Sequence, residues 1–192
     1  PAVPLLFLFT VLTGVAYRLA VTGVAQLAFP REANGSLLER DGRVIGSRLI
    51  GQPFDDAHAF WSRPSAVTYD AAASGASNLG PTNPVLVAAV NERIARLRAN
   101  GGAGDVPIDL VTTSASGLDP HISPEAARYQ VPRVARERGV PEPQLRALVE
   151  SHVEPRTLGI WGEPRVNVLE LNLALDGLTR PGFRGEAKPA DE

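Results

Sequence analysis

PAVPLLFLFTVLTGVAYRLAVTGVAQLAFP, Pro1 to Pro30, decides how the rest of the chain is read. Val3 to Tyr17 is uncharged and apolar apart from Thr10 and Thr13, and Leu19 to Phe29 resumes the pattern. About 20 apolar residues cross a bilayer core as a helix. Arg18 interrupts the run. At the bilayer centre an arginine costs roughly 2.5–3.5 kcal/mol; at an edge it reaches water, and a neighbouring tyrosine suits the same interface. Tyr17 and Arg18 are therefore expected at the outer boundary as membrane-interface anchors. Leu19 to Phe29 then extends the helix beyond the bilayer until Pro30 stops it. The chain contains no methionine, so residues preceding Pro1 are expected to complete the inner end. Two other readings compete. A cleaved signal peptide has an apolar region of this length, but Ala25-Gln26-Leu27-Ala28 is not a clean cleavage site. A buried core helix is the third.

Beyond Pro30 the composition becomes that of a soluble domain. Formal charge is -2 over 192 residues, which gives no electrostatic footprint for nucleic acid. Cysteine is absent, which excludes disulfides, thiol catalysis and zinc-thiolate sites. Lys188 is the only lysine, which removes Schiff-base and phosphate-loop lysine chemistry from everything but the tail.

The pattern predicts an α/β (α+β) domain over residues 31–178, with residues 179–192 a disordered tail rich in Gly, Pro and charge. Ala33 to Ser36 reads as a turn. Arg43 to Phe54 reads as one or two short strands broken by Gly46 and Gly51, and FWSRPSAVTY as a further short edge strand limited by Pro64. Asn83-Pro84 is an N-cap followed by a favoured first helical residue. Leu86, Val90, Ile94 and Leu97 follow at helical spacing, with Glu92, Arg93, Arg96 and Arg98 on the other face, up to Asn100-Gly101-Gly102. Ile108 to Thr113 is β-rich and reads as a central strand. Ser123-Pro124 opens a helix that Pro132 is expected to break or kink and Gly139 to end. Pro143 to Val153 reads as another helix, and Pro155 to Pro164 as a loop. Asn167 and Glu170 have capping-box spacing, which favours a helix carrying Val168, Leu171, Leu175 and Leu178 on one face.

Two small-residue loops, SGASNLGPTNP (Ser74 to Pro84) and SASGLDPHISP (Ser114 to Pro124), run into helix starts. Backbone N–H groups in such places bind anions, but neither loop has a phosphate-binding fingerprint and no lysine is near. Ser114 or Ser116 with Asp119 and His121 would compose a hydrolase site only if they converged, and all lie within one short loop stiffened by Pro120. His58, His121 and His152 are too scattered for a metal set. Asp55, Asp56, Asp70 and Asp119 are expected to be solvated loop carboxylates. No catalytic residue and no metal ligand is assigned.

The motifs together resemble the family of C subunits of the Kdp potassium-transporting P-type ATPase. They are ANGSL at Ala33 to Leu37, GSxLIGQxF at Gly46 to Phe54, RPSA at Arg63 to Ala66 and SGASNLGPTNP itself. SASGLDPHISPxAA at Ser114 to Ala127, QxPRVA at Gln130 to Ala135 and VNVLELNLALD at Val166 to Asp176 complete the set. The resemblance implies one transmembrane helix in the cell (inner) membrane and a domain on the extracytoplasmic side. It implies three partners in the Kdp complex: the A subunit, which forms the pore; the B subunit, which is the ATP-hydrolysing pump; and the small F subunit. The C subunit is a non-catalytic member of this complex. It is also described as a catalytic chaperone that raises the ATP affinity of the pump; a direct nucleotide-binding regulator with its domain inside the cell is the alternative. ATP and potassium are handled by the complex, and no cofactor is assigned to this chain. Where the family has proline after the tyrosine ending the first apolar run, this chain has Arg18, so the helix is expected to be straighter there.

Subunit-interface or loop-shaping candidates follow from the same motifs. Asn34, Gly35, Gln52 and Arg63 lie in the first three. Ser74, Gly75, Ser77, Asn78, Leu79 and Asn83 lie in the first polar loop. Ser116, Gly117 and Asp119 lie in the second, and Gln130 and Arg133 in the helix after it.

Overall fold

A computed structural model describes residues 1–40 and 42–179; the expected tail over residues 179–192 lies, but for Thr179, outside the described residues. The chain divides into two compact units, Pro1–Leu49 and Ile50 onward. The hairpin that follows the N-terminal helix is thus grouped with that helix.

In the first unit, Ala2–Ala28 is one continuous helix of 27 residues, about 40 Å long at 1.5 Å per residue. It comprises α1 (Ala2–Val11), a π-helical turn (Leu12–Ala16) and α2 (Tyr17–Ala28). None of its residues is buried against other parts of the chain. A helix this apolar with none of its side chains buried has the length and composition of a membrane span. The backbone is regular α-helix at Tyr17, as expected without proline. The irregularity lies one turn earlier, where Thr13 donates its hydroxyl to the Phe9 carbonyl at 2.6 Å and Gly14 offers no side chain. Such a back-bond competes with the helical ladder. α3 (Pro30–Ala33) follows, and the amides of Gln26 and Asn34 bond across the turn at 3.1 Å. β1 (Leu37–Arg40) and β2 (Arg43–Ser47) then pair antiparallel.

The second unit holds α4 (Pro84–Ala99), β3 (His121–Ile122), α5 (Pro124–Arg138), α6 (Glu142–Ser151), β4 (Val153–Glu154), β5 (Arg165–Asn167) and α7 (Val168–Thr179). The sheet is small and antiparallel in the order β3-β5-β4. The core includes Phe60, Trp61, Ile122, Val131, Val134, Leu145, Val149, Val166, Leu171 and Leu175. The expected caps form: Asn83 accepts from the Val85 N–H at 2.9 Å, Ser123 from Ala126 at 3.0 Å, and Asn167 from Glu170 at 3.2 Å. Gly139 closes α5 in the left-handed conformation.

Two expectations fail for identifiable reasons, and two more hold only in part. Ile108–Leu110 is a 3₁₀ turn, not a central strand. Asp109 lies buried in its middle and accepts the Ser123 N–H at 2.7 Å, which fixes a turn with Leu110 and Val111 buried and Ile108 exposed. FWSRPSAVTY contains no strand, because side chains rather than a neighbouring strand take up its backbone groups. Arg43 to Phe54, read as one or two short strands, holds one, β2, while its partner β1 went unpredicted. α5 runs unbroken through Pro132. Val131, Arg133 and Val134 are all buried, and their packing offsets a proline cost of about 3 kcal/mol.

The segment from Ile50 to Asn83 has no helix or strand, yet Phe60 and Trp61 lie in the core. Helix side chains satisfy their backbone. Asn172 accepts the Phe60 N–H at 2.8 Å and donates to its carbonyl at 3.0 Å. Gln130 does the same for Trp61, at 2.7 and 3.2 Å. Arg133 donates to the Ala57 and Ala59 carbonyls at 2.5 and 3.0 Å. Replacing Asn172 with Ala strands one buried N–H and one buried carbonyl. The expected loss is about 2–4 kcal/mol, read as a lower midpoint in denaturant unfolding of the detergent-solubilised chain.

Candidate functional site

The two polar loops that the sequence singled out meet in the second unit and are fastened to each other. Gly75 donates its N–H to the Ser116 carbonyl at 2.8 Å, and the Ser74 hydroxyl reaches the same oxygen at 3.1 Å. The hydroxyls of Ser77 and Thr113 lie 3.4 Å apart. Within the second loop, Ser114 Oγ accepts from Gly117 N–H at 2.9 Å and Ser116 Oγ from Leu118 N–H at 3.1 Å. These hydroxyls are turn acceptors rather than nucleophiles aligned with a base.

The RPSA stretch locks the junction. Arg63 donates to Asp119 Oδ2 at 3.1 Å. Ser65 donates to the Gly117 carbonyl at 2.7 Å and accepts the N–H groups of Val67 and Tyr69 at 3.1 and 3.0 Å. The Tyr69 hydroxyl bonds the Arg63 carbonyl. Gly51 donates its N–H to the Leu118 carbonyl at 2.7 Å, and a Cβ at position 51 would sit 2.5 Å from the Asp119 oxygen. Gly117 is equally constrained: its φ is +68°, and a Cβ would lie 2.5 Å from a Val67 methyl and 2.8 Å from the Gly75 oxygen.

Electrostatics follow this geometry. Burial pushes the Asp119 carboxyl up, but hydrogen bonds from His121 and the charge of Arg63 outweigh it and hold the group below its ordinary value. Burial lowers Arg133 to about 10, so it stays charged at neutral pH. Its guanidinium lies over the Trp61 ring, 4.0 Å from the centroid, and that of Arg96 lies over the same ring at 4.4 Å. A cleft of about 430 Å³ beside them is lined by Trp61, Arg63, Tyr69, Arg93 and Arg96 among others. Its arginines are engaged within the chain. Arg96 pairs with Asp55 at 2.8 Å, Arg93 donates to the Val111 carbonyl at 2.7 Å, and Arg63 holds Asp119. The remaining expected loop carboxylates act locally: Asp56 accepts from His58, and Asp70 from the Ala72 N–H.

Of the residues predicted from sequence, Arg63, Ser74, Gly75, Ser77, Ser116, Gly117 and Asp119 come together at this junction. The Gln52 carbonyl accepts from Ser62 at 3.0 Å at its edge. Asn83 is a helix cap, Leu79 is half-buried, and Asn78 is exposed with a left-handed backbone, φ 52°. Gln130 and Arg133 lie beneath the Ala57–Trp61 segment. Asn34 and Gly35 belong to the first unit, where the Gly35 carbonyl accepts from Ser47 at 2.7 Å. Tyr17 and Arg18 are exposed on the N-terminal helix. Sequence reasoning missed Ser65, Tyr69, Asn172 and Asp109. Ser65 sits inside the RPSA motif and Asn172 inside VNVLELNLALD; Tyr69 and Asp109 carry no local signal.

Because its folded pKa is depressed, the Asp119 carboxylate contributes stability present above the unfolded value near 3.9 and lost as pH falls through the lower folded value. Asp119→Asn should therefore be less stable than the unaltered chain at neutral pH, and the gap should close as acid protonates the native carboxyl. Thermal unfolding of both chains between pH 7 and pH 3 reads this directly.

Residues 1–177 match the family described as KdpC, K+-transporting ATPase, c chain. The chain is 59% identical over 182 residues to the potassium-transporting ATPase KdpC subunit of Sorangium cellulosum (strain So ce56), covering 92% of this chain and 96% of that one. It is 61% identical over 183 residues to the protein of the same name from Polaromonas naphthalenivorans (strain CJ2), covering 93% of each. The protein of that name from Geobacter metallireducens is 56% identical over 182 residues, covering 93% of this chain and 96% of that one. With its apolar N-terminal helix, its motif order and a match over nearly its whole length, the chain belongs to the KdpC family of K+-transporting ATPase subunits.

Proposed function

We propose that this chain is a non-catalytic accessory subunit that holds a K+-importing ATPase together. The N-terminal helix anchors it in the cell membrane as a single pass. The unit from Ile50 onward lies on the extracytoplasmic side, over the outer entrance of the pore-forming subunit. Contacts to that pore, to the ATP-hydrolysing pump and to the small third partner stabilise the assembly. Potassium and ATP are handled by those partners.

The observation that carries this reading is how the polar loops use their hydrogen-bonding groups. The N–H groups of Gly75, Gly117 and Leu118 and the ion pair of Arg63 with Asp119 are spent within the chain. Groups so occupied define a rigid shape, and shape is what a clamp between subunits needs. Any increase in the ATP affinity of the pump is then an indirect coupling through the helix or the pore, between states with different contacts.

A direct nucleotide-binding regulator is favoured by one feature, the cleft where Arg63, Arg93 and Arg96 stand beside Trp61. The side of the membrane separates the two readings, since a nucleotide regulator must share a compartment with ATP. Gly80 is exposed, a Cβ there meets nothing within 4 Å, and the chain has no cysteine of its own. Gly80→Cys should be labelled by a membrane-impermeant maleimide in intact cells. Labelling only after lysis would place the domain inside and overturn the accessory-clamp reading.

A further inference from the structure

The segment between β4 and β5 folds back on itself at Thr157 and Trp161. Thr157 donates its N–H to the Trp161 carbonyl at 2.8 Å, and Trp161 returns the bond at 3.0 Å. The turn between them places Leu158 and Gly159 at positive φ, 53° and 76°. Its side chains point away from the domain: Leu158 is 78% exposed, Ile160 68% and Trp161 64%. The contrast with the other tryptophan is plain, since Trp61 is buried under two guanidinium groups. A leucine held in the left-handed region so that it stays in solvent is a strained arrangement with no return inside the domain.

We propose that this hairpin tip is the element with which the domain docks, inserting Leu158, Ile160 and Trp161 into an apolar pocket of another member of the transporter. The proposal rests on the accessory-subunit reading and adds its anchor. The charges at the base identify the occupant. Arg156 pairs with Glu163 at 2.6 Å and Arg165 with Glu154 at 3.0 Å. Two arginines are thus matched by two glutamates, so these described residues at the base carry no net positive charge to draw anionic headgroups. An apolar centre inside a charge-balanced polar rim is the anatomy of a protein–protein interface, and a tryptophan at its middle is the commonest anchor. Three side chains are far less than the roughly 1,600 Å² of a self-sufficient interface. That disfavours a second copy of this chain held by the tip alone, and suits a protein that the membrane helix already keeps nearby. The paired backbone and ion pairs pre-order the tip, so little entropy is lost on docking.

The test uses the full chain co-expressed with the other subunits. Trp161→p-benzoylphenylalanine, irradiated in membranes, should cross-link to another ATPase subunit identified by mass spectrometry. Trp161→Ala should reduce co-purification of the other subunits about tenfold or more while leaving the thermal midpoint of the isolated chain unchanged. Val87→Ser, on another exposed apolar residue, should reduce it little. Cross-linking only to lipid or to a second copy of the chain, no cross-link at all, or undiminished co-purification by Trp161→Ala would overturn the docking role. If the unaltered chain recovers no ATPase subunit, the accessory-subunit reading fails and the docking role with it. If the unaltered chain recovers them and Trp161→Ala does so equally, the docking role alone fails.

Discussion

The backbone from Ala59 to Trp61 passes through the core with no strand beside it, and the second unit depends on how that backbone is satisfied. A buried N–H or carbonyl without a partner costs about as much as a lost hydrogen bond. Asn172 on α7 and Gln130 on α5 each bracket one peptide residue with both ends of an amide, and Arg133 takes two further carbonyls. Side chains from two helices thus replace a strand. This allows Phe60 and Trp61 to enter the core and gives a domain with three very short paired strands among the described residues a single packed centre.

The same substitution of side chain for strand governs the polar loops. Ser65 and Ser74, with Arg63 on Asp119, bind two irregular segments that never pair as a sheet. The close approach is possible because Gly51 and Gly117 have no Cβ at the points of contact. A junction built this way is stiff, and its polar groups are engaged with one another. What it offers outward is a fixed shape. The proposed accessory role draws on that fixed shape.

The apolar groups divide along the same logic. On the N-terminal helix they face outward, and the helix has the length and composition of a membrane span. In the second unit they are gathered inward around Phe60 and Leu171, and the tip at Leu158 to Trp161 departs from that rule. Exposed aromatic surface on an ordered turn is costly in water and becomes favourable only when something covers it.

What the sequence determined by itself is what short-range chemistry decides. The length of the first helix, the caps at Asn83, Ser123 and Asn167, the left-handed stop at Gly139 and the apolar faces of α4 and α7 each depend on residues within a turn of one another. The motif order identified the family for the same reason, since it is read along the chain. The candidate junction was legible as a set of residues, Arg63, Ser74, Gly75, Ser116, Gly117 and Asp119, but not as an arrangement. Only the tertiary structure decided that Ile108–Leu110 turns around a buried Asp109, that Gln130 and Arg133 serve the backbone, and that one tryptophan is buried while the other is bare. The deciding hydrogen bonds span long stretches of chain, 69 residues from Trp61 to Gln130 and 112 from Phe60 to Asn172. No periodicity or spacing encodes them, because the loss of chain entropy on closing such loops is offset only by the whole core forming at once.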